Sequence, residues 1–118
     1  MMQGQRFNQE FGQYGEDLAT NFCRKQNFKI VKRNYRCRFG EIDLIAWQDK
    51  VLHFIEVKNR TRDLVPGRYA VNAKKQRHIR RSAQNYLLEN DLTNNCLVSF
   101  DVIEITDGHL EFLENCFY

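Results

Sequence analysis

Three residues carry the clearest chemical potential in this chain: Asp43, Glu56 and Lys58, set in the runs Gly40-Glu41-Ile42-Asp43-Leu44-Ile45 and Glu56-Val57-Lys58-Asn59-Arg60. Side chains alternate across an extended strand, so spacing decides which of them meet. If residues 39–47 and 51–58 form a hairpin folded about Asp49-Lys50, residues pair when their numbers sum to about 99. Asp43 and Glu56 then become cross-strand neighbours, with Lys58 two residues further along the same face and Glu41 opposite it. Two carboxylates about 5 Å apart repel by roughly 3 kcal/mol at an effective dielectric near 20. Three arrangements offset that cost. The pair can share a proton, which raises one pKa. Lys58 can neutralise one acid. Or Mg²⁺ (or Mn²⁺) can sit between the acids, held by oxygens and water, with Lys58 placed to orient a nucleophile or a phosphate. The residues alone leave all three open.

The elements that must position these groups follow from periodicity. In 39–47 one face carries Ile42, Leu44 and Ala46, and the other carries Glu41, Asp43, Ile45 and Trp47. In 51–58 one face carries Val51, His53, Ile55 and Val57, and the other Leu52, Phe54, Glu56 and Lys58. Both segments are apolar on both faces, as central strands are. Trp47 and Phe54 read as core beneath a helix. His53 falls opposite Glu56, so water activation is left to a metal and Lys58.

Residues 8–27 read as a first helix with Phe11, Tyr14, Leu18 and Phe22 as its apolar stripe. Gly12 and Gly15 each cost about 1 kcal/mol inside a helix. Either the helix starts late or its backbone packs close to something. Residues 28–36 read as a first strand. Asn72 is placed to cap a second helix running to residue 89, with Ile79, Ala83, Tyr86 and Leu87 inward. Strands over 97–106 and 109–113 follow, joined by Asp107-Gly108, a two-residue hairpin turn by composition. The expected fold is α/β, a mixed five-stranded sheet flanked by helices, in one domain spanning 1–118.

These motifs match a known pattern. Gly15-Glu16, Arg33-Asn34, the run from Gly40 to Ile45, and Glu56-Val57-Lys58-x-Arg60 resemble the YraN-like family of uncharacterised bacterial proteins. The similarity continues through Lys74-Lys75, Ala83, Tyr86-Leu87 and Phe100-Asp101-Val102, nearly the whole chain. Through that family the chain resembles the PD-(D/E)xK nuclease superfamily and, distantly, archaeal Holliday-junction resolvases. The resemblance implies a restriction-endonuclease-like core in which Asp43 and Glu56 bind Mg²⁺, with the Val57 carbonyl as a third ligand. Lys58 would position the attacking water or stabilise the pentacovalent phosphorus. Glu16, on the flank of the first helix near Ala19 and Cys23, matches a family position that completes the acidic site. One departure is Ser99, where the family pattern has an arginine before Phe-Asp. The role of Asp101, on one strand face with Ser99 and Ile103, is left open.

Charge is segregated along the chain. Of 18 Lys and Arg, seven lie between Arg24 and Arg38 and nine from Lys58 to Arg81, and none follows Arg81. One basic side facing a polyanion is the expectation. Lys74, Arg77, His78 and Arg81 share the outward face of the second helix, and Lys75 falls near its apolar edge. With Arg60 and Arg62 on the loop over 59–69, which reads as a flap beside the acids, these cations are candidates for phosphate contact. Cys23, Cys37, Cys96 and Cys116 form no CxxC pair, and His53, His78 and His109 lack zinc-ligand spacing. The cysteines read as buried or idle thiols in a reducing compartment, with a disulfide or zinc staple as the alternative. No apolar run is long enough to cross a bilayer and the N-terminus lacks a signal-peptide core, so a cytoplasmic location without membrane contact is expected.

Taken together these readings point to a metal-dependent endonuclease acting on nucleic acid, with DNA favoured and branched or repair intermediates suggested by the resolvase analogy. The alternatives are a non-catalytic nucleic-acid-binding module that retains a nuclease-like fold, and a protein-interaction domain whose acidic C-terminal region docks a basic partner. A homodimer is compatible with resolvase-like action.

Overall fold

A computed structural model describes residues 2–61 and 71–117, with the side chains of 10–61 and 71–117. The order is helix α1 (Met2–Lys25), strands β1 (Lys29–Cys37), β2 (Gly40–Gln48) and β3 (Val51–Arg60), helix α2 (Ala73–Glu89), then β4 (Leu97–Thr106) and β5 (His109–Leu113). The strands form one sheet in the order β1-β2-β3-β4-β5. Every neighbouring pair is antiparallel except β3 and β4, which run parallel. A parallel neighbour requires a crossover, and α2 lies between β3 and β4 in the chain to provide it. The fold is α/β, with a mixed five-stranded sheet between two helices, the layout of a restriction-endonuclease-like core.

Tight turns set the registers. Asp49 and Lys50 adopt φ of 49° and 68°, and Asp107 and Gly108 adopt 49° and 82°. Two successive left-handed residues suit the twist of a two-residue hairpin. The β2–β3 ladder runs from Gln48↔Val51 to Leu44↔Ile55, with the register expected from the sequence.

Each helix covers its own core. On one face, Ile45, Leu52, Phe54 and Val102 pack with Ile79 and Ala83 of α2, with Tyr86 and Leu87 at the margin. On the other, Leu44, Ala46, Ile55, Ile103 and Ile105 pack with Ala19 and Cys23 of α1. β3, between two neighbours, gives Leu52 and Phe54 to one core and Ile55 to the other. Phe54 is fully buried and Trp47 partly so, as expected of core residues. Burial pushes the Cys23 thiol up to about 12, and all four cysteines are free thiols.

Corrections fall on three features: the bounds of α1 and β3, the α1 stripe and the β2 alternation. Helix α1 begins at Met2 rather than near residue 8, and β3 continues to Arg60 rather than ending at Lys58. The apolar stripe of α1 is corrected in part: Leu18 and Phe22 pack against the core as expected, but Tyr14 does not. Tyr14 is 57% exposed, whereas Gly15, Ala19 and Cys23, four residues apart, face the sheet. Small residues win the inner face because α1 lies close to β3. A Cβ on Gly15 would sit 2.7 Å from the Asn59 Cβ, and Asn59 Nδ2 donates to the Phe11 carbonyl at 2.7 Å. Gly12, by contrast, has no atom within 4 Å of where its Cβ would lie.

The third correction concerns alternation in β2. Ile42 packs on the α2 side with Ile45, not with Leu44 and Ala46 on the α1 side. The pleat slips one step at Asp43. The same slip occurs alongside in β1, where Tyr35 pairs with Ile42 and Arg33 with Leu44. Tyr35 turns toward α2, donating to Glu89 at 2.6 Å, while Arg33 turns toward α1 and bonds Asp17 at 2.9 Å. Between them Asn34 holds φ of 53°, a left-handed value that asparagine tolerates better than most residues.

Among the described residues no helix is long and apolar enough to cross a membrane. Arg62 and the rest of the expected flap, up to residue 69, lie outside the described residues.

Candidate functional site

The slip at Asp43 opens the sheet where the β2–β3 ladder stops. The Asp43 carboxylate accepts the Val57 N–H at 2.8 Å and hydrogen-bonds the Glu56 carboxyl. The acids therefore meet as expected, although at the open end of the ladder rather than as one of its rungs. Glu56 is 8% exposed. Its Oε2 lies 2.8 Å from the Lys75 ammonium, projected from the first turn of α2. The Asn72 side chain caps that turn by accepting the Lys75 N–H at 2.8 Å, which fixes where Lys75 starts.

Electrostatics separates the two acids. Burial, followed by the hydrogen bond and charge of Glu56, pushes Asp43 well above the usual carboxylate range. Burial alone would raise Glu56 too, but its bond to Asp43 and the Lys75 ammonium carry it below its ordinary value. The two shifts run apart, Asp43 toward its protonated form and Glu56 toward its carboxylate. Lys58 is lowered first by its own burial and then by the like charge of Lys75. The lysine in contact with the pair is Lys75, not the expected Lys58.

Two clefts flank the pair and share Asp43 and Lys75. One, about 420 Å³, is lined by Gly40, Glu41, Asp43, Glu56, Lys74, Lys75 and His78 along α2. The other, about 370 Å³, is lined by Gly12, Glu16, Asp43, Val57, Lys58, Arg60 and Lys75 beside α1. Lys58 and Glu56 thus open into different clefts rather than along one face. Glu41 pairs with Arg36 at 3.4 Å instead of standing opposite Lys58. The twist at the slip turns β2 and β3 apart there.

Glu16 does reach the site region. It lines the α1 cleft, accepts from Asn34 Nδ2 at 2.9 Å, and adds to the charge that raises Asp43. Arg60, Lys74 and Lys75 line the clefts, whereas Arg77 points outward and Arg81 joins Arg38 and Phe39 in a separate hollow. Among the described residues no group of three or more Asp, Glu, His or Cys side chains converges as a ready metal cage.

Sequence reasoning misses three things here. It sets Lys75 among phosphate contacts, not against Glu56. It groups His78 with the outward cations, yet His78 also lines the α2 cleft. And it gives no partner to His53, which lies away from Glu56 as expected but bonds Asp101 at 2.5 Å in a buried network with Ser99 Oγ and the Asn115 N–H.

Comparison with known proteins gives the same motifs a family. A UPF0102 protein of Clostridium perfringens strain 13 is 38% identical over 119 residues, covering 95% of this chain and 97% of its own. Another from Caldicellulosiruptor bescii is 42% identical over 98 residues, 81% and 82% of the two chains. A third, from Geobacter metallireducens, is 39% identical over 110 residues, 92% and 89% of the two. The model of the uncharacterised protein family UPF0102 matches residues 15–105, from Gly15 through the paired acids to Ile105 in β4, and the chain belongs to that family.

Proposed function

We propose that this protein is a metal-dependent endonuclease that hydrolyses nucleic-acid phosphodiesters, with DNA the favoured substrate. The observation that carries the reading is the meeting of Asp43 and Glu56 at an opened sheet end, between two clefts lined with Lys58, Arg60, Lys74 and Lys75. The donor set fits Mg²⁺ or Mn²⁺: two carboxylates, with oxygen donors only, in clefts roomy enough for water. Mg²⁺ commonly uses one or two carboxylates and completes its shell with water and substrate phosphate. Asp43 and Glu56 would hold the ion, with the Val57 carbonyl as a third ligand, and it would supply charge stabilisation at the phosphoryl oxygens and a more acidic water.

The chain's own groups do the rest. Lys58, in the wall of the α1 cleft beside Asp43, donates to a phosphoryl oxygen or holds the attacking water. Glu16, fixed by Asn34, accepts a proton of that water from across the cleft. Arg60 and Lys74 hold the flanking phosphates without reading bases, so binding is salt-dependent and tolerant of sequence. The test is cleavage of duplex, single-stranded, branched and RNA substrates with Mg²⁺ or Mn²⁺. Wild type cuts at least one of these. Asp43→Asn, Glu56→Gln and Lys58→Ala lose cutting while keeping DNA affinity within about threefold, because backbone charge dominates affinity.

One observation favours a second reading. Lys75 already stands as a counter-charge to Glu56 without a metal, as in a binding module that keeps the acids as structure. Binding with a steep salt slope and no affinity for Mg²⁺ or Mn²⁺ would select that reading over the nuclease.

A further inference from the structure

We infer that Lys75 is a built-in counter-cation that holds Glu56 until a divalent ion takes its place, so that metal entry and Lys75 release are a single exchange. This deepens the nuclease reading and rests on it. The Glu56 carboxylate is nearly buried, while the Lys75 side chain is half exposed at the cleft wall. A buried carboxylate cannot stand alone, whereas a long, partly solvated lysine can leave without cost to the core. The position of Lys75 is itself unfavourable. It lies in the first turn of α2, which carries no acid, and a cation there opposes the helix dipole. The Glu56 charge offsets that repulsion, so the lysine is tied to Glu56 specifically.

The oxygens a cation needs are the ones in use. Glu56 faces both the Asp43 carboxyl and the Lys75 ammonium. Lys75 lines both clefts, so after release it remains in the wall they share. Lys75 is thus a positioning residue for the metal-free Glu56 carboxylate and a competitor of the metal.

The experiment is isothermal titration of Mn²⁺ into wild type, Lys75→Met, Lys75→Arg and Lys74→Met, each first shown to be folded by its urea midpoint. Lys75→Met is expected to bind Mn²⁺ about tenfold more tightly, about 1.4 kcal/mol. Lys75→Arg returns to the wild-type value. Lys74→Met, which removes an equal charge from the adjacent position, changes affinity less than about twofold, because its effect is screened. A second readout needs no activity: Mn²⁺ raises the melting temperature of Lys75→Met more than that of wild type. If wild type binds Mn²⁺ and Lys75→Met binds it equally or more weakly, the exchange is overturned and the nuclease reading stands. If neither binds, both fall. A gain in Lys74→Met matching that in Lys75→Met would reduce Lys75 to background charge and also overturn the exchange.

Discussion

Asp43→Asn exchanges one carboxylate oxygen for an amide nitrogen and tests the proton held between the acids. In the metal-free protein, burial and Glu56 raise the Asp43 pKa, so the folded state binds a proton that the unfolded state releases near pH 4. For a carboxyl with a raised folded pKa, that stability is fully present below the unfolded value and is lost as pH rises toward the folded one. The slope is at most one proton, about 1.4 kcal/mol per pH unit. Glu56, lowered in the folded state, acts oppositely but only in the acid range where it ionises, so above about pH 5 the Asp43 effect stands alone within the pair. The alternative to keeping the proton is two full charges in contact, costing about 4 kcal/mol at 4 Å and an effective dielectric of 20. The amide introduced by Asp43→Asn is neutral at every pH and can still accept the Val57 N–H and donate to Glu56. The assay is urea unfolding with chelator from pH 5 to 8. The stability of Asp43→Asn minus that of wild type is expected to grow with pH, by about 2–3 kcal/mol between pH 5 and pH 7. Saturating Mg²⁺ should narrow the difference by stabilising wild type only. A difference independent of pH would show that Asp43 is ionised in the folded protein, and the shared proton would be refuted.

The packing yields two further expectations. Gly15→Ala drives a methyl into Asn59 and should cost about 1–3 kcal/mol, while Gly12→Ala, with open space around it, should gain up to about 1 kcal/mol; equal urea midpoints for the two would contradict the close approach of α1 to β3. Asp101→Ala strands His53, Ser99 Oγ and the Asn115 N–H in a buried setting, so a loss of about 3–5 kcal/mol is expected, accompanied by faster amide exchange at Asn115. A loss below about 1 kcal/mol would mean the network contributes little.

The parts of this fold legible in the sequence are those governed by short-range rules. The hairpin register follows from Asp49-Lys50 and the alternation around it, and the α2 cap from Asn72. The YraN-like resemblance also agrees with the UPF0102 family match. Alternation fails at Asp43 because it assumes an unbroken pleat. The break has a local marker, Asn34, whose side chain tolerates the left-handed backbone, but asparagine in a strand is too common to locate a slip by itself. The α1 stripe fails at Tyr14 for a related reason. Bulk alone favours Tyr14, but a helix lying this close to a sheet selects small residues such as Gly15 and Ala19, and that distance is a tertiary fact.

Lys75 is the more instructive case. Two lysines in the first turn of a capped helix, with no acid there, oppose the dipole and so break a local preference without local compensation. Such a break is what a residue recruited by a distant partner looks like. The partner, Glu56, is 19 residues earlier in the chain, across a crossover whose geometry no periodicity encodes. Helix phase puts Lys75 at the apolar edge, which is correct: that edge borders the sheet end where Glu56 emerges. The same position that makes it look peripheral to the helix makes it central to the acid pair. An unfavourable cation at a helix N-terminus, set beside an apolar edge, is therefore the readable sign that a buried carboxylate lies within its reach.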